Sequence, residues 1–222
     1  MHNVWRTRVV IAGLLVVGLP GVVHAAAPAI WETTLGKELT QLTGTDDTEQ
    51  SVTLSFDFPF KGVMYRTLYV NTNGEIHVND EAITAAAPDP NDLLEAEGPV
   101  IAPFWGDLSL FERGNIYVKD FGNRATITWF KSGSYENGTA PFTFQIQLLS
   151  DGRIIFGYNG ISDLTTKLAS DLVIGVSTGS GTLPAESDLS SAPFTTIQPI
   201  VYEAIPEISD MKWGEEIVWC RS

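Results

Sequence analysis

The 222-residue sequence predicts an all-β protein, an antiparallel β-sandwich of jelly-roll-like type with long loops. Three observations predict it. Apolar and polar residues alternate in short runs from Gln50 onward, the period of half-buried strands. Glycine-centred turns join those runs at Asn73-Gly74, Gly122-Asn123 and Asp151-Gly152. No convincing long helical pattern follows the first 25 residues.

Those first residues, "MHNVWRTRVVIAGLLVVGLPGVVHA", have the layout of a secretory leader. Arg6 and Arg8 precede an apolar run from Val9 to Gly18, then come Pro20 and a small-residue exit ending at Ala25. The run is short for a membrane span, which takes roughly 20 apolar residues. The expectation is a leader over 1–25, an N-terminal segment over 26–50, a sandwich domain over 51–204 and a C-terminal extension over 205–222. The mature chain is then secreted or extracytoplasmic, with no membrane span.

In the N-terminal segment, Leu35, Leu39 and Leu42 stand at helical spacing, which suits a short helix or turn. A polar loop with Asp46 and Asp47 follows. In "SVTLSFDF", Val52, Leu54, Phe56 and Phe58 share one face, and Pro59 and Gly62 mark the end of that strand. "LYVNTNGEIHVN" reads as a hairpin with Asn73-Gly74 in a type I′ turn, both residues at positive φ. "NIYVKDFGNRATITWF" and "FTFQIQLLSDGRIIFGY" read as further hairpins, and "DLVIGVST", "IVYEAI" and "EIVWC" as later strands. Residues 79–98 form an acidic Pro/Ala-rich loop holding Asp80, Glu81, Asp89, Asp92, Glu95 and Glu97, and 178–199 are rich in Ser, Thr, Gly and Pro.

Charge narrows the partners. Without the two leader arginines, 11 basic residues face 27 acidic ones, a formal charge of −16. No Lys/Arg cluster is present to follow a phosphate backbone, which argues against nucleic acid. Cys220 is the single cysteine, so an intrachain disulfide is excluded and an intermolecular one is left open. His2 and His24 fall in the leader, which leaves His77 alone. No histidine-based metal spacing and no G-x-S-x-G elbow accompany it.

The strings "FDFPFKGVMYRTLYVNTNGEIHV" (56–78), "PVIAPFWGDL" (99–108), "GNIYV" (114–118), "ATITW" (125–129), "FTFQIQLLSDGRIIFGYNGI" (142–161) and "VIGVS" (173–177) resemble, in order and wording, the nidogen-like extracellular domain. The resemblance covers residues 46–178, and the flank with Asp46-Asp47 and the "NTNG" hairpin resemble bacterial secreted versions. It implies an extracellular module of adhesion and matrix contacts, with no catalytic residues to carry over. Better-known members hold the module beside cysteine-rich domains. Here it stands nearly alone, which favours a small bacterial exported or surface protein.

The candidate interaction or loop-structuring residues are Asn73, Gly74, Trp105, Asp107 and Tyr135. Asn73 and Gly74 form the turn. Trp105, in "PVIAPFWGDL", is a core aromatic with a ligand platform as the alternative. Asp107 caps a loop, or takes part in a calcium site with Asp46, Asp47 or acids of 79–98. Trp129, alternating with Ile127, is core. Tyr135, in "KSGSYENGTAP", is the exposed aromatic, beside the sequon Asn137-Gly138-Thr139. No catalytic residue and no cofactor are expected, with calcium the one candidate ion. The reading is a non-catalytic adhesion or interaction module that meets a protein or glycan at the cell surface or matrix. A carbohydrate-binding module is the alternative, and a carboxylate-based glycoside hydrolase a third.

Overall fold

The computed structural model describes residues 31–60, 62–78, 88, 90–96, 98–136, 141–159, 161 and 172–177. The expected leader, residues 79–87, the sequon, the 178–199 stretch, "IVYEAI", "EIVWC" and Cys220 lie outside the described residues.

Two antiparallel sheets pack face to face. One contains β1 (Lys37–Glu38), β7 (Asn115–Asp120), β8 (Arg124–Ser134), β9 (Phe142–Leu149) and β10 (Ile154–Tyr158) in that spatial order, with β6 (Leu108–Ser109) on the far end of β8. The other has the order β11 (Val173–Ser177), β5 (Val100–Trp105), β4 (Ile76–His77), β3 (Val63–Asn71) and β2 (Glu49–Phe60). Within each sheet, successive strands mostly pair with their chain neighbours, and β11 returns to pair with β5.

The alternating residues account for the core. Val52, Leu54, Phe56, Phe58 and Phe60 of β2 are buried while their neighbours Ser51, Thr53, Ser55 and Asp57 are exposed. Between the sheets, the Phe104 ring of β5 lies 5.2 Å from Phe142 and 4.9 Å from Phe144 of β9. Trp129 of β8 stacks on Phe144 at 4.9 Å, so Trp129 is core. Aromatic contacts of this kind add about 0.5–1.5 kcal/mol each beyond the area they bury.

Several local expectations change. β2 runs through Pro59 to Phe60 and pairs Pro59 with Met64. The proline is tolerated because, among the described residues, β2 is an edge strand with one side of its ladder free of a partner strand. The Leu35–Leu42 spacing makes strand β1 and a turn over 40–44, with buried Leu39 and Leu42, instead of a helix. The acidic 79–98 stretch is not loop throughout, because Pro90–Glu95 form helix α1. Leu93 of α1 packs with Ala96, Val100, Ala102, Trp105 and Val173 in a second, smaller apolar cluster. Phe104 belongs to the main core and Trp105 to this cluster, so adjacent aromatics serve opposite faces of β5.

The other outer face is covered too. All eight residues of β9 are buried, including Thr143, Gln145 and Gln147. Gln145 accepts a bond from the Glu32 amide at 2.9 Å and donates to the Glu32 carbonyl at 3.1 Å and the Thr128 hydroxyl at 2.7 Å. Arg124 donates to Gln147 at 2.7 Å and to Glu32 at 3.2 Å. Thr128, Gln145 and Gln147 are here a hydrogen-bonded layer beneath the N-terminal segment, in line with the rule that buried polar groups find partners, while Thr126 Oγ1 on the same face has none.

Candidate functional site

The β3–β4 hairpin tip organises one end of the sandwich. Asn71 N–H donates to the Glu75 carbonyl at 3.0 Å, and Gly74 N–H donates to the Asn71 carbonyl at 3.4 Å. The loop is therefore three residues, Thr72, Asn73 and Gly74. Only Gly74 is left-handed, at φ 93°. This corrects the two-residue type I′ turn with positive φ at both Asn73 and Gly74. Three-residue hairpin loops typically place one left-handed residue last, and glycine fills it without steric cost. Asn71 Oδ1 accepts the Asn73 N–H at 2.9 Å, a local bond that competes with continued strand pairing and starts the turn.

The tip is buried and clamped. Asn73 Oδ1 accepts the Leu108 N–H at 3.1 Å, and its Nδ2 donates to Asp47 Oδ1 at 2.8 Å. Its carbonyl accepts the Gly106 N–H at 3.1 Å. One side chain thus joins the segment before β2, the β3–β4 tip and the start of β6. The Asn71 carbonyl also accepts Trp129 Nε1–H at 2.9 Å, which ties the tip to the opposite sheet. A Cβ at Gly74 would stand 2.0 Å from the Phe104 carbonyl oxygen, so no side chain fits.

Beyond the clamp lies an acidic rim. Strand β6 is bordered by Asp46, which bridges to Ser109, and by β8, where Leu108 pairs with Ser134. The Asp107 carbonyl accepts the Tyr135 N–H at 3.0 Å. Burial, then the charges of Asp46, Asp47 and Glu136, push the Asp107 carboxyl up to about 6. Burial first and Asp47 second also raise Asp46. Two aromatics flank this rim in the open: Tyr135 is 62% exposed and Phe111 is 75% exposed. Phe111 sits two residues past β6 and Tyr135 just past β8. The pairing separates them by about four residues of strand, roughly 13 Å.

Of the sequence candidates, Asn73, Gly74, Asp107 and Tyr135 converge at this end. Trp105 does not, because its side chain is buried in the α1 cluster. Among the described residues, no group of three or more His, Cys, Asp or Glu side chains is arranged to hold a metal ion. Among those residues, no helix is long and apolar enough to cross a membrane. Phe111 is a further exposed residue that strand alternation did not mark, since it lies in the "FERG" loop. The burial of Glu75 and His77 was also unmarked, because Ile76 between them points into the core and leaves them on the outer face.

A family model described as NIDO related matches residues 24–204. The chain belongs to the NIDO-related family. Among curated proteins, this NIDO-related chain is similar to alpha-tectorin of Homo sapiens, 27% identical over 198 residues, covering 75% of this chain and 9% of that protein. Alpha-tectorin of Mus musculus is 28% identical over 198 residues, with the same coverage of 75% and 9%. Alpha-tectorin of Gallus gallus is 30% identical over 147 residues, covering 53% of this chain and 7% of that protein. The NIDO-related chain thus spans under a tenth of the length of these relatives. No solved structure matches it.

Proposed function

We propose that this NIDO-related chain is an exported, non-catalytic interaction module of the bacterial secreted type. Its contact surface is the end of the sandwich that carries Tyr135, Phe111 and the Asp107 rim. The observation that carries the reading is the division of labour at that end. The polar groups of Asn73 are engaged in structural bonds, while two large aromatics stand in solvent beside carboxylates. Exposed tyrosine beside a polar rim is the composition that anchors protein contacts. Family membership supports the extracellular part of the reading.

The proposal against catalysis rests on His77. It is the one histidine beyond residue 25 and it is 1% exposed, with Nε2 3.8 Å from Glu75 Oε1 on the same sheet. A relay of nucleophile and histidine needs that ring within reach of substrate. A screen of the mature chain against sugars, esters and peptides is expected to give no turnover. Turnover abolished by one carboxylate substitution would overturn the reading and place the chain among carboxylate-based hydrolases. A carbohydrate-binding role is the second reading, favoured by the exposure of Tyr135, whose ring could stack on a sugar.

A further inference from the structure

We propose that the buried Glu75–His77 pair on β4 is a proton-operated brace: mild acidity tightens the sheet that carries the hairpin tip, and neutral to alkaline surroundings loosen it. Glu75 and His77 flank Ile76, which faces the core, so both project from the outer face of the sheet. Their side chains are 0% and 1% exposed. Glu75 Oε1 lies 3.8 Å from His77 Nε2, beyond hydrogen-bond distance. Both Glu75 oxygens and His77 Nε2 are buried with no hydrogen-bond partner.

A neutral imidazole carries its hydrogen on one nitrogen only, and with that hydrogen on Nδ1 the pair at 3.8 Å has no donor between its facing atoms. An ionised carboxylate only accepts, and so does an unprotonated imidazole nitrogen. A proton placed between them gives one group a donor and the other its acceptor, and the pair can close to hydrogen-bond distance. Without it, each bears the cost of burial unpaired. The surroundings sharpen the need. The backbone pairing puts Glu49 of β2, Asn71 of β3 and Glu75 in one row, and Ser51, Tyr69, His77 and Val100 in the next. Glu49 Oε2 is likewise buried without a partner. The backbone rows thus set Glu49, Tyr69 and His77 beside Glu75 on its sheet; β5 presents Val100, Ala102 and Trp105, and α1, which packs on Val100 and Trp105, carries Asp92. Burial pushes the Glu75 carboxyl up to about 7, against the lowering effect of His77, and Glu49 raises it further.

The sign follows by linkage. A carboxyl that holds its proton more tightly when folded leaves stability intact below its ordinary value, 4.5 here. That stability is lost as pH rises through the folded value, about 7. The brace bears on the tip directly, because the Glu75 carbonyl accepts the Asn71 N–H and the Asn71 carbonyl holds both Gly74 and Trp129.

The test is thermal unfolding of the whole mature chain from pH 5 to 8.5, in an Asp107→Asn background to remove the rim acid that titrates nearby. With Glu75 intact, the Tm is expected to fall by several degrees between pH 5 and 7 and to level off above. Glu75→Gln keeps the shape without the ionisation. It is expected to flatten that fall and to exceed the Glu75 protein in Tm above pH 7. Should Glu75→Gln not fold, carbon-13 NMR of the Glu75 carboxyl in the unsubstituted chain gives the answer by titrating near 7. A Glu75→Gln profile that retains the full fall, or a carboxyl that titrates in the ordinary glutamate range, would overturn the proposal.

Discussion

Asn73 and Asp47 meet through a 2.8 Å hydrogen bond from Nδ2 to Oδ1, which ties the β3–β4 tip to the segment entering β2. The other end of the same amide accepts from Leu108 N–H at 3.1 Å. Asn73→Ala removes both bonds and orphans a buried backbone donor, so the expected cost is about 1–3 kcal/mol. Asn73→Asp keeps an acceptor for Leu108 and sets a carboxylate against Asp47. Its loss is expected to shrink as the pair protonates at low pH. Urea unfolding at pH 7 and pH 4 reads both variants, and equal stability of all three proteins at pH 7 would remove the clamp.

Gly74 and Gly122 separate conformation from space. Both are left-handed, at φ 93° and 88°. At Gly74 a Cβ meets the Phe104 oxygen, whereas at Gly122 nothing lies within 4 Å. Gly122→Ala is expected to cost only the left-handed penalty, about 1–2 kcal/mol. Gly74→Ala adds overpacking of about 1–3 kcal/mol and is expected to be clearly the worse of the two. Paired melting curves check it. Similar losses at both sites would mean that β5 yields easily to the tip.

The sequence shows the sandwich because period-two alternation depends on which residues face the core, and that is local information. It shows the hairpin at Asn73-Gly74 for the same reason. The turn type was not legible. Asn73 takes an ordinary φ because its amide is drawn to Asp47 and Leu108, partners 26 and 35 residues away. Trp105 was legible as buried but not as the partner of α1, since Leu93 reaches it across a sheet face. Nothing in "GEIHV" marks Glu75 and His77 as buried, because alternation alone gives outer-face residues to solvent.

Asp107 offers a pH and salt test of the rim. Its folded value near 6 stands above the usual aspartate value of 3.8, so its stability contribution is whole below 3.8 and lost as pH rises through about 6. Asp107→Asn is expected to raise the Tm at pH 7–8 and to leave it unchanged near pH 3.5. Calcium, magnesium and sodium chloride at matched ionic strength are expected to shift the wild-type Tm alike, by screening the rim. A rise seen with calcium alone, and lost in Asp107→Asn, would instead establish a calcium site there.

The most direct test of the account is binding by the mature chain and its Tyr135→Ala variant, across a glycan array and a panel of immobilised matrix and cell-surface proteins. Tyr135 is exposed, so its truncation is expected to leave stability within about 0.5 kcal/mol of wild type. The account predicts dose-dependent binding to a protein or a glycan that weakens about tenfold or more in Tyr135→Ala, the loss typical of an aromatic anchor. Binding that is indifferent to Tyr135, or absent from both surfaces, would contradict it.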